Sequence, residues 1–412
     1  MRYIINSQFA LSRSPEGPLA DHIVSFAQFL SEQGYGLVSM RNQVLLAACF
    51  SRWLGQNEVG AHSICAEQSA RYLRYRARYQ RPKKGDRAAF QHLLDFLRRE
   101  GLIPPELARE RRLTPAEQHV ESYVQHLRRA RALAEPTIIN YVPFIRAFLK
   151  DCFGRRPIAF SRLRAGDVVR VVRHQAPRMH AKRAKILTTA LRSFLQYLRL
   201  RGDITAALAA AVPAVANWSM SAIPRGITPA DVRKLLDSVD RRTATGRRDY
   251  AILLLLARLG LRSGEVVSLE LDDIDWTAGQ LSVRGKGGQR SELPLSADVG
   301  KAIAAYLRRG RPRSTSRRVF LRTKAPIDGF RGSSSLGCVV RRSLKRAGVD
   351  APTTGAHQFR HGLATEMLRQ GASLNEIGEV LGHHHPQTTT IYAKVALKAL
   401  RTLALPWPGD AR

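Results

Sequence analysis

The chain has 412 residues, 44% of them hydrophobic, and carries 67 Lys and Arg against 33 Asp and Glu, a formal net charge of +34. That length allows two to four domains with ordinary cores, and a charge excess spread along the whole chain calls for a polyanionic partner, above all nucleic acid. Cys49, Cys65, Cys152 and Cys338 are scattered without a C-x-x-C pair, which argues against a disulfide framework or a zinc site and fits a reducing cytosol; neither a signal peptide over residues 1–17 nor a membrane span is expected.

Residues 1–112 read as an N-terminal helical domain. After an irregular lead over residues 1–16, apolar residues recur three and four apart from Leu19 to Leu102, as at Ile23, Phe26, Phe29 and Leu30. Breaks at Gly34/Gly36, at 55–60 and at Arg81-Pro82-Lys83-Lys84-Gly85 divide this stretch into four or five helices. A charged, proline-bearing connection then leads into residues 113–210, a second helical bundle with a similar pattern. Phe26-Ala27-Gln28-Phe29-Leu30 pairs with Tyr123-Val124-Gln125-His126-Leu127, Trp53-Leu54 with Phe148-Leu149, and Phe96-Leu97-Arg98 with Tyr197-Leu198-Arg199, at offsets of 97, 95 and 101. The two bundles read as a duplicated helical module.

The second bundle carries a basic helix with Arg178, Lys182, Arg183, Lys185 and Arg192, and an amphipathic helix opened after Pro136 by Thr137, Asn140 and Tyr141. A charged helix face is often no more than a solvated one. Beside so large a charge excess, Thr137, Tyr141 and the five cations are the expected DNA-binding residues.

Residues 211–227 form a linker, and the third domain, 228–412, opens at Thr228-Pro229, an N-cap followed by proline at the first helical position. Helices are expected near 229–238, 247–259, 264–270, 297–308, 335–347, 357–370, 374–381 and 388–403. Short strands are expected at 274–276, 280–284 and 291–294, with Gly285-Lys286-Gly287-Gly288-Gln289 as the turn between the last two. The fold class is therefore mainly α: two helical bundles followed by a mixed, mostly helical domain with a small antiparallel sheet.

Within the third domain several residues suit work on a phosphodiester. Such a diester needs cations on its non-bridging oxygens, a nucleophile that sheds a proton and an acid for the leaving oxygen. Arg262 stands at a helix junction, Lys286 among glycines at a hairpin tip, and His357 and Arg360 share a helix face near an N-terminus that favours anions. Tyr392 lies nine positions past His383, beyond a polar His/Pro/Gln/Thr segment expected to be loop-like. Taken singly, each is a weak signal; their order and spacing together are specific.

Gly260-Leu261-Arg262-Ser263-Gly264-Glu265, Lys286, His357-Gln358-Phe359-Arg360-His361 and Leu381-Gly382-His383 with Tyr392 resemble the boxes of the tyrosine recombinase, or phage integrase, family over residues 226–400. The 113–210 bundle resembles that family's SAM-like core-binding domain, whereas residues 1–112 lie outside its minimal pattern and are expected to bind DNA arm sites or partner subunits.

The resemblance implies a site-specific DNA recombinase or integrase, with a transposase of the same chemistry, a type IB topoisomerase-like enzyme or a catalytically silent DNA-binding regulator as alternatives. It implies that Tyr392 attacks the scissile phosphate to form a 3′-phosphotyrosyl link and that Arg262 and Arg360 bind the non-bridging oxygens. It further implies that Lys286 protonates the leaving 5′ oxygen, that His357 is a base or a hydrogen-bond partner of the tyrosine, that His383 bonds the phosphate and that Glu265 buttresses the arginines. No metal, ATP or other cofactor is implied. The implied partners are double-stranded DNA, further copies of the chain (a dimer per site, a tetramer in the synapse) and accessory recombinases or DNA-bending proteins, in the cytoplasm at the nucleoid. Phe359 and Gly362 depart from the commoner aliphatic and small hydroxyl residues. The apolar tail Val395, Leu397, Leu400, Leu403 and Leu405 is expected to dock on a neighbouring protomer.

Overall fold

The computed structural model of the chain describes residues 3–6, 9–11, 13–105, 113–154, 156–215, 225–285, 288, 290–351, 353–382 and 386–395. Its lead segment, expected to be irregular, contains two paired antiparallel strands, β1 (Tyr3–Asn6) and β2 (Phe9–Leu11). Strands of three and four residues are too short for an alternating pattern to stand out.

Four helices follow: α1 (Ile23–Glu32), α2 (Leu37–Gln56), α3 (Ala66–Arg76) and α4 (Asp86–Arg99). The three-and-four spacing does what it implies, since Ile23, Phe26 and Leu30 of α1, Val44, Phe50 and Leu54 of α2, and Phe90, Leu93 and Leu97 of α4 are buried in one core. The second bundle is built from α5 (Pro115–Arg129), α6 (Glu135–Phe153), α7 (Ala165–Gln175) and α8 (Ala181–Leu200). Its core gathers Tyr123, Leu127, Ile145, Phe148, Leu191 and Phe194.

The two bundles have the same internal plan. α1 pairs with α2 and α2 with α4, as α5 pairs with α6 and α6 with α8. A 3-10 turn precedes both α3 (Ala61–Ser63) and α7 (Phe160–Arg162). Phe26 meets Phe96 at 5.4 Å between ring centres, and Tyr123 meets Tyr197 at 5.3 Å. After the last helix of each, Leu102 N–H donates to Leu97 O and Asp203 N–H to Leu198 O.

By internal contacts the chain divides into two compact units, residues 106–221 and residues 1–105 with 222–412. Within the second of these, Ile327 N–H donates to Gln33 O at 2.9 Å, tying the turn after α1 to the C-terminal domain.

In the C-terminal segment the first helix, α9 (Pro229–Asp237), starts where expected, with Thr228 Oγ1 accepting from Asp231 N–H at 3.1 Å to cap it. Next come α10 (Ala244–Arg258), α11 (Ser263–Ser268), the antiparallel strands β3 (Ile274–Asp275), β4 (Gln280–Arg284) and β5 (Arg290–Pro294), and then α12 (Ala297–Arg309) and α13 (Ser333–Ala347). Finally α14 (His357–Arg369), α15 (Leu374–Val380) and α16 (Pro386–Thr389) lead into a 3-10 turn, Thr390–Val395. The Ala251–Leu256 run of α10 is buried on every side and is the axis of the core. The Pro/Gln/Thr segment expected to be loop-like is the short helix α16: proline's fixed φ suits the first turn of a helix. Lys286, His383 and the tail beyond residue 395 lie outside the described residues. No helix among the described residues is long and apolar enough to cross a membrane.

Candidate active site

Arg262 owes its position to the start of α11. Glu265, at the third position of that helix, accepts Arg262 N–H through Oε2 at 2.7 Å and the Arg262 guanidinium through Oε1 at 2.7 Å. One buried carboxylate thus caps the helix and holds the arginine side chain, which explains why a glutamate three residues on is useful here. The other end of the guanidinium donates to Gly382 O at 3.4 Å.

Arg360 is more deeply set, 4% exposed. It donates to Gly260 O at 2.9 Å and to Leu381 O, so a single fork joins the segment before α11, helix α14 and the end of α15. Gly260 is needed on two counts. It has a φ of +58°, and a Cβ there would stand 2.8 Å from Leu381 Cδ2. Burial and the neighbouring Arg262 lower the Arg360 guanidinium to about 10, so it remains charged at neutral pH.

Tyr392 is 1% exposed and packs with Ala364, Ile377 and Leu381 in a small core separate from that of α10. Its hydroxyl lies 3.0 Å from His361 Nδ1, and its ring is 5.7 Å from that imidazole between centres. Burial raises the phenol above its usual range while Arg360 and Arg262 pull it down. His357, expected beside the tyrosine hydroxyl, is exposed one turn earlier on α14, with its ring 6.1 Å from that of His361. His361 therefore takes the place against the hydroxyl that was expected of His357. The sequence held a signal for this, because residues four apart share a helix face.

A cleft lined by Arg262, Glu265, Gly285, Arg360, Glu379 and Leu381 joins the two arginines to the end of α15. Gly285 immediately precedes Lys286 at the end of β4. The lining holds two guanidinium groups, Arg262 and Arg360, and two carboxylates, Glu265 and Glu379, of which Glu265 is bonded to Arg262. The departure at Gly362 has a local cause: a Cβ there would stand 2.4 Å from Ile227 O, so backbone packs where a side chain would otherwise go. Phe359 is buried in the main core.

In the second bundle, Arg178, Lys182, Arg183 and Lys185 are exposed around the start of α8. The Arg183 guanidinium lies 5.4 Å from the Phe144 ring, and Phe144 follows Tyr141 by three residues and Thr137 by seven along α6. Arg192 stands apart from this group. It is half-buried and donates to Val212 O at 2.9 Å and Pro213 O at 3.2 Å, so it fastens the end of the bundle instead of facing a ligand.

Residues 225–398 match the profile of the phage integrase family, and residues 120–202 match the phage integrase N-terminal SAM-like domain. A "Putative integrase/recombinase y4rA" from Sinorhizobium fredii (strain NBRC 101917 / NGR234) is 62% identical over 412 residues, 100% of both chains. The tyrosine recombinase XerD of Mycobacterium tuberculosis (strain ATCC 25618 / H37Rv) is 30% identical over 310 residues, 70% of this chain and 96% of that protein. Among solved structures, XerH site-specific recombinase bound to a palindromic difH substrate shares the fold at a TM-score of 0.57 and 18% identity, over 81% of this chain and 93% of that one. A lambda integrase dimer bound to a COC' core site does so at a TM-score of 0.53 and 17% identity, over 67% and 94%. With both profiles matched and relatives aligned over nearly their whole length, the chain belongs to the phage integrase family and is a tyrosine recombinase.

Proposed function

We propose that this site-specific DNA recombinase cuts and rejoins strands through Tyr392. The phenolate oxygen attacks the scissile phosphorus, the bond to the 5′ oxygen breaks, and Lys286 gives that oxygen its proton. Arg262 and Arg360 hold the two non-bridging oxygens, His383 bonds the phosphate, His361, bonded to the hydroxyl where His357 was expected, takes or shares the phenolic proton, and Glu265 keeps Arg262 in place. The energy of the broken bond stays in the 3′-phosphotyrosyl link. A 5′-hydroxyl from a second strand can then reverse the step without metal or ATP.

The observation that carries this reading is the convergence of Arg262, Arg360 and Tyr392 on the end of α15: Arg360 donates to Leu381 O, Arg262 to Gly382 O, and Tyr392 packs in one small core with Leu381. Because the Tyr392 hydroxyl is covered and bonded to His361, attack also requires the Thr390–Val395 turn to shift when DNA binds. The 113–210 bundle and the third domain each bind duplex DNA, the bundle with Thr137, Tyr141, Arg178, Lys182, Arg183 and Lys185 on its phosphates. Two protomers occupy each site and four form the synapse, in keeping with the lambda integrase dimer on a core site and the lambda integrase tetramer on a Holliday junction. The first module touches DNA outside the core or a partner subunit, accessory recombinases or bending proteins assist, and the work is done at the nucleoid.

The test starts from duplexes enriched by the protein from a random pool and then nicked so that cleavage is trapped. The wild type forms a covalent adduct and exchanges strands between two such sites, and Tyr392→Phe does neither. Tight, sequence-selective binding without any adduct would instead identify a catalytically silent regulator, and relaxation of supercoils without exchange a topoisomerase.

A further inference from the structure

Residues 71–87 carry eight arginines and lysines against the single carboxylate of Asp86, and Arg76 occupies that carboxylate at 2.7 Å. Arg71, Arg74, Arg78, Arg81, Lys83 and Lys84 are exposed, and none of the six forms an ion pair with a carboxylate among the described residues. Through them runs a row of rings, Tyr72, Tyr75 and Tyr79, with centres 6.4 and 5.4 Å apart. Tyr72 is buried against Phe50 and Trp53, while Tyr75 and Tyr79 are 42% and 73% exposed. Cations interleaved with exposed aromatic rings fit a nucleic-acid backbone better than a solvated face, which needs no tyrosines. The chemistry at Tyr392 uses none of these residues.

The internal plan shared by the two bundles says what this corner is. α3 and α7 are both 11 residues long and each follows a 3-10 turn. α4 and α8 align through Phe96 and Tyr197 at an offset of 101, which sets Arg81 and Lys84 opposite Lys182 and Lys185 in sequence, the first pair in the segment just before α4 and the second in the first turns of the longer α8. Gly101 and Gly202, with φ of +71° and +79°, close both modules alike. We propose that residues 19–103 are a second copy of the DNA-binding module and grip duplex DNA beyond the core site through the corner between α3 and α4. The inference rests on the reading that the 113–210 bundle grips duplex DNA through Lys182 and Lys185. It differs from that reading in committing the first module to DNA instead of a protein partner.

The test uses the full chain on random-sequence duplexes, one long and one only as long as the core site, with binding read by fluorescence anisotropy as a function of salt. Arg78→Gln/Arg81→Gln/Lys84→Gln is compared with Arg178→Gln/Lys182→Gln/Lys185→Gln. Each lost phosphate contact lowers the slope of log affinity against log salt by about 0.9. The corner variant is expected to lose roughly two to three units of slope on the long duplex, and roughly tenfold or more in affinity, with little change on the short one. Adduct formation on a nicked core duplex stays at the parent rate. If the corner variant matches the parent on the long duplex while the α8 variant is weakened, the inference is overturned and the reading of the second bundle survives. If neither variant weakens binding, that underlying reading fails as well. A corner variant that loses self-association but keeps its DNA affinity would assign the surface to a protein partner and likewise overturn the proposal.

Discussion

Replacing Arg360 by alanine separates the architectural work of this residue from its chemistry. The guanidinium is 4% exposed and holds the carbonyls of Gly260 and Leu381. Its removal leaves two buried acceptors without a donor, at about 1–3 kcal/mol each. Against this stands the relief of no longer burying a cation, an expense visible in the lowering of its guanidinium to about 10. The net loss is therefore about 2–4 kcal/mol, enough to raise local opening roughly thirtyfold to a thousandfold. Arg360→Lys keeps the charge but not the fork and reaches one carbonyl, so it falls between the two. Hydrogen exchange read by mass spectrometry on peptides spanning 259–262 and 374–382 checks this, with α5 and α6 as an internal standard. Single-turnover adduct formation in both variants then reports the chemistry separately. Unchanged exchange in the alanine variant would refute the reasoning, because the fork would then hold nothing together.

Three further outcomes follow from the same geometry. Glu265→Gln removes the charge that tethers Arg262 and retains most of the helix cap; adduct formation is expected to fall by about tenfold to a hundredfold while equilibrium DNA affinity changes little, as checked by single-turnover kinetics beside anisotropy. Because burial raises the Tyr392 phenol and the nucleophile is its phenolate, the single-turnover rate should climb from about pH 7 to about pH 9, by up to about tenfold per unit; a flat profile would speak against proton loss from the phenol in the slow step. DNA affinity should fall steeply with salt, and a slope corresponding to fewer than about three phosphates would contradict the phosphate contacts assigned to the second bundle.

How much of this was legible in the sequence depends on the range of the forces involved. Most of the helices follow from apolar spacing, and Thr228-Pro229 marks a helix start without any tertiary help; the exception is the C-terminal stretch, where a loop followed by a helix from 388 was expected and α16 followed by a 3-10 turn is found. Glu265 beside Arg262 is readable for the same reason, since a capping residue acts across three positions. The pairing of Tyr392 with His361 spans 31 positions and depends on how α16 turns the chain back toward α14, which no local pattern records. Arg192 shows the converse. Its helix face looks like those of Lys182 and Lys185, and only the fold reveals that the carbonyls of Val212 and Pro213 occupy it. The strands β1 and β2 were hidden by their brevity.

The most direct measurement is the identity of the residue that becomes joined to DNA. A trapped adduct on a nicked duplex is digested with protease, and the peptide carrying the 3′-phosphoryl nucleotide is sequenced by mass spectrometry. The account predicts one modified peptide with the nucleotide on Tyr392, and its disappearance from both Arg262→Ala and Arg360→Ala. A nucleotide found on any other side chain, or undiminished adduct on Tyr392 with both arginines replaced, would contradict it.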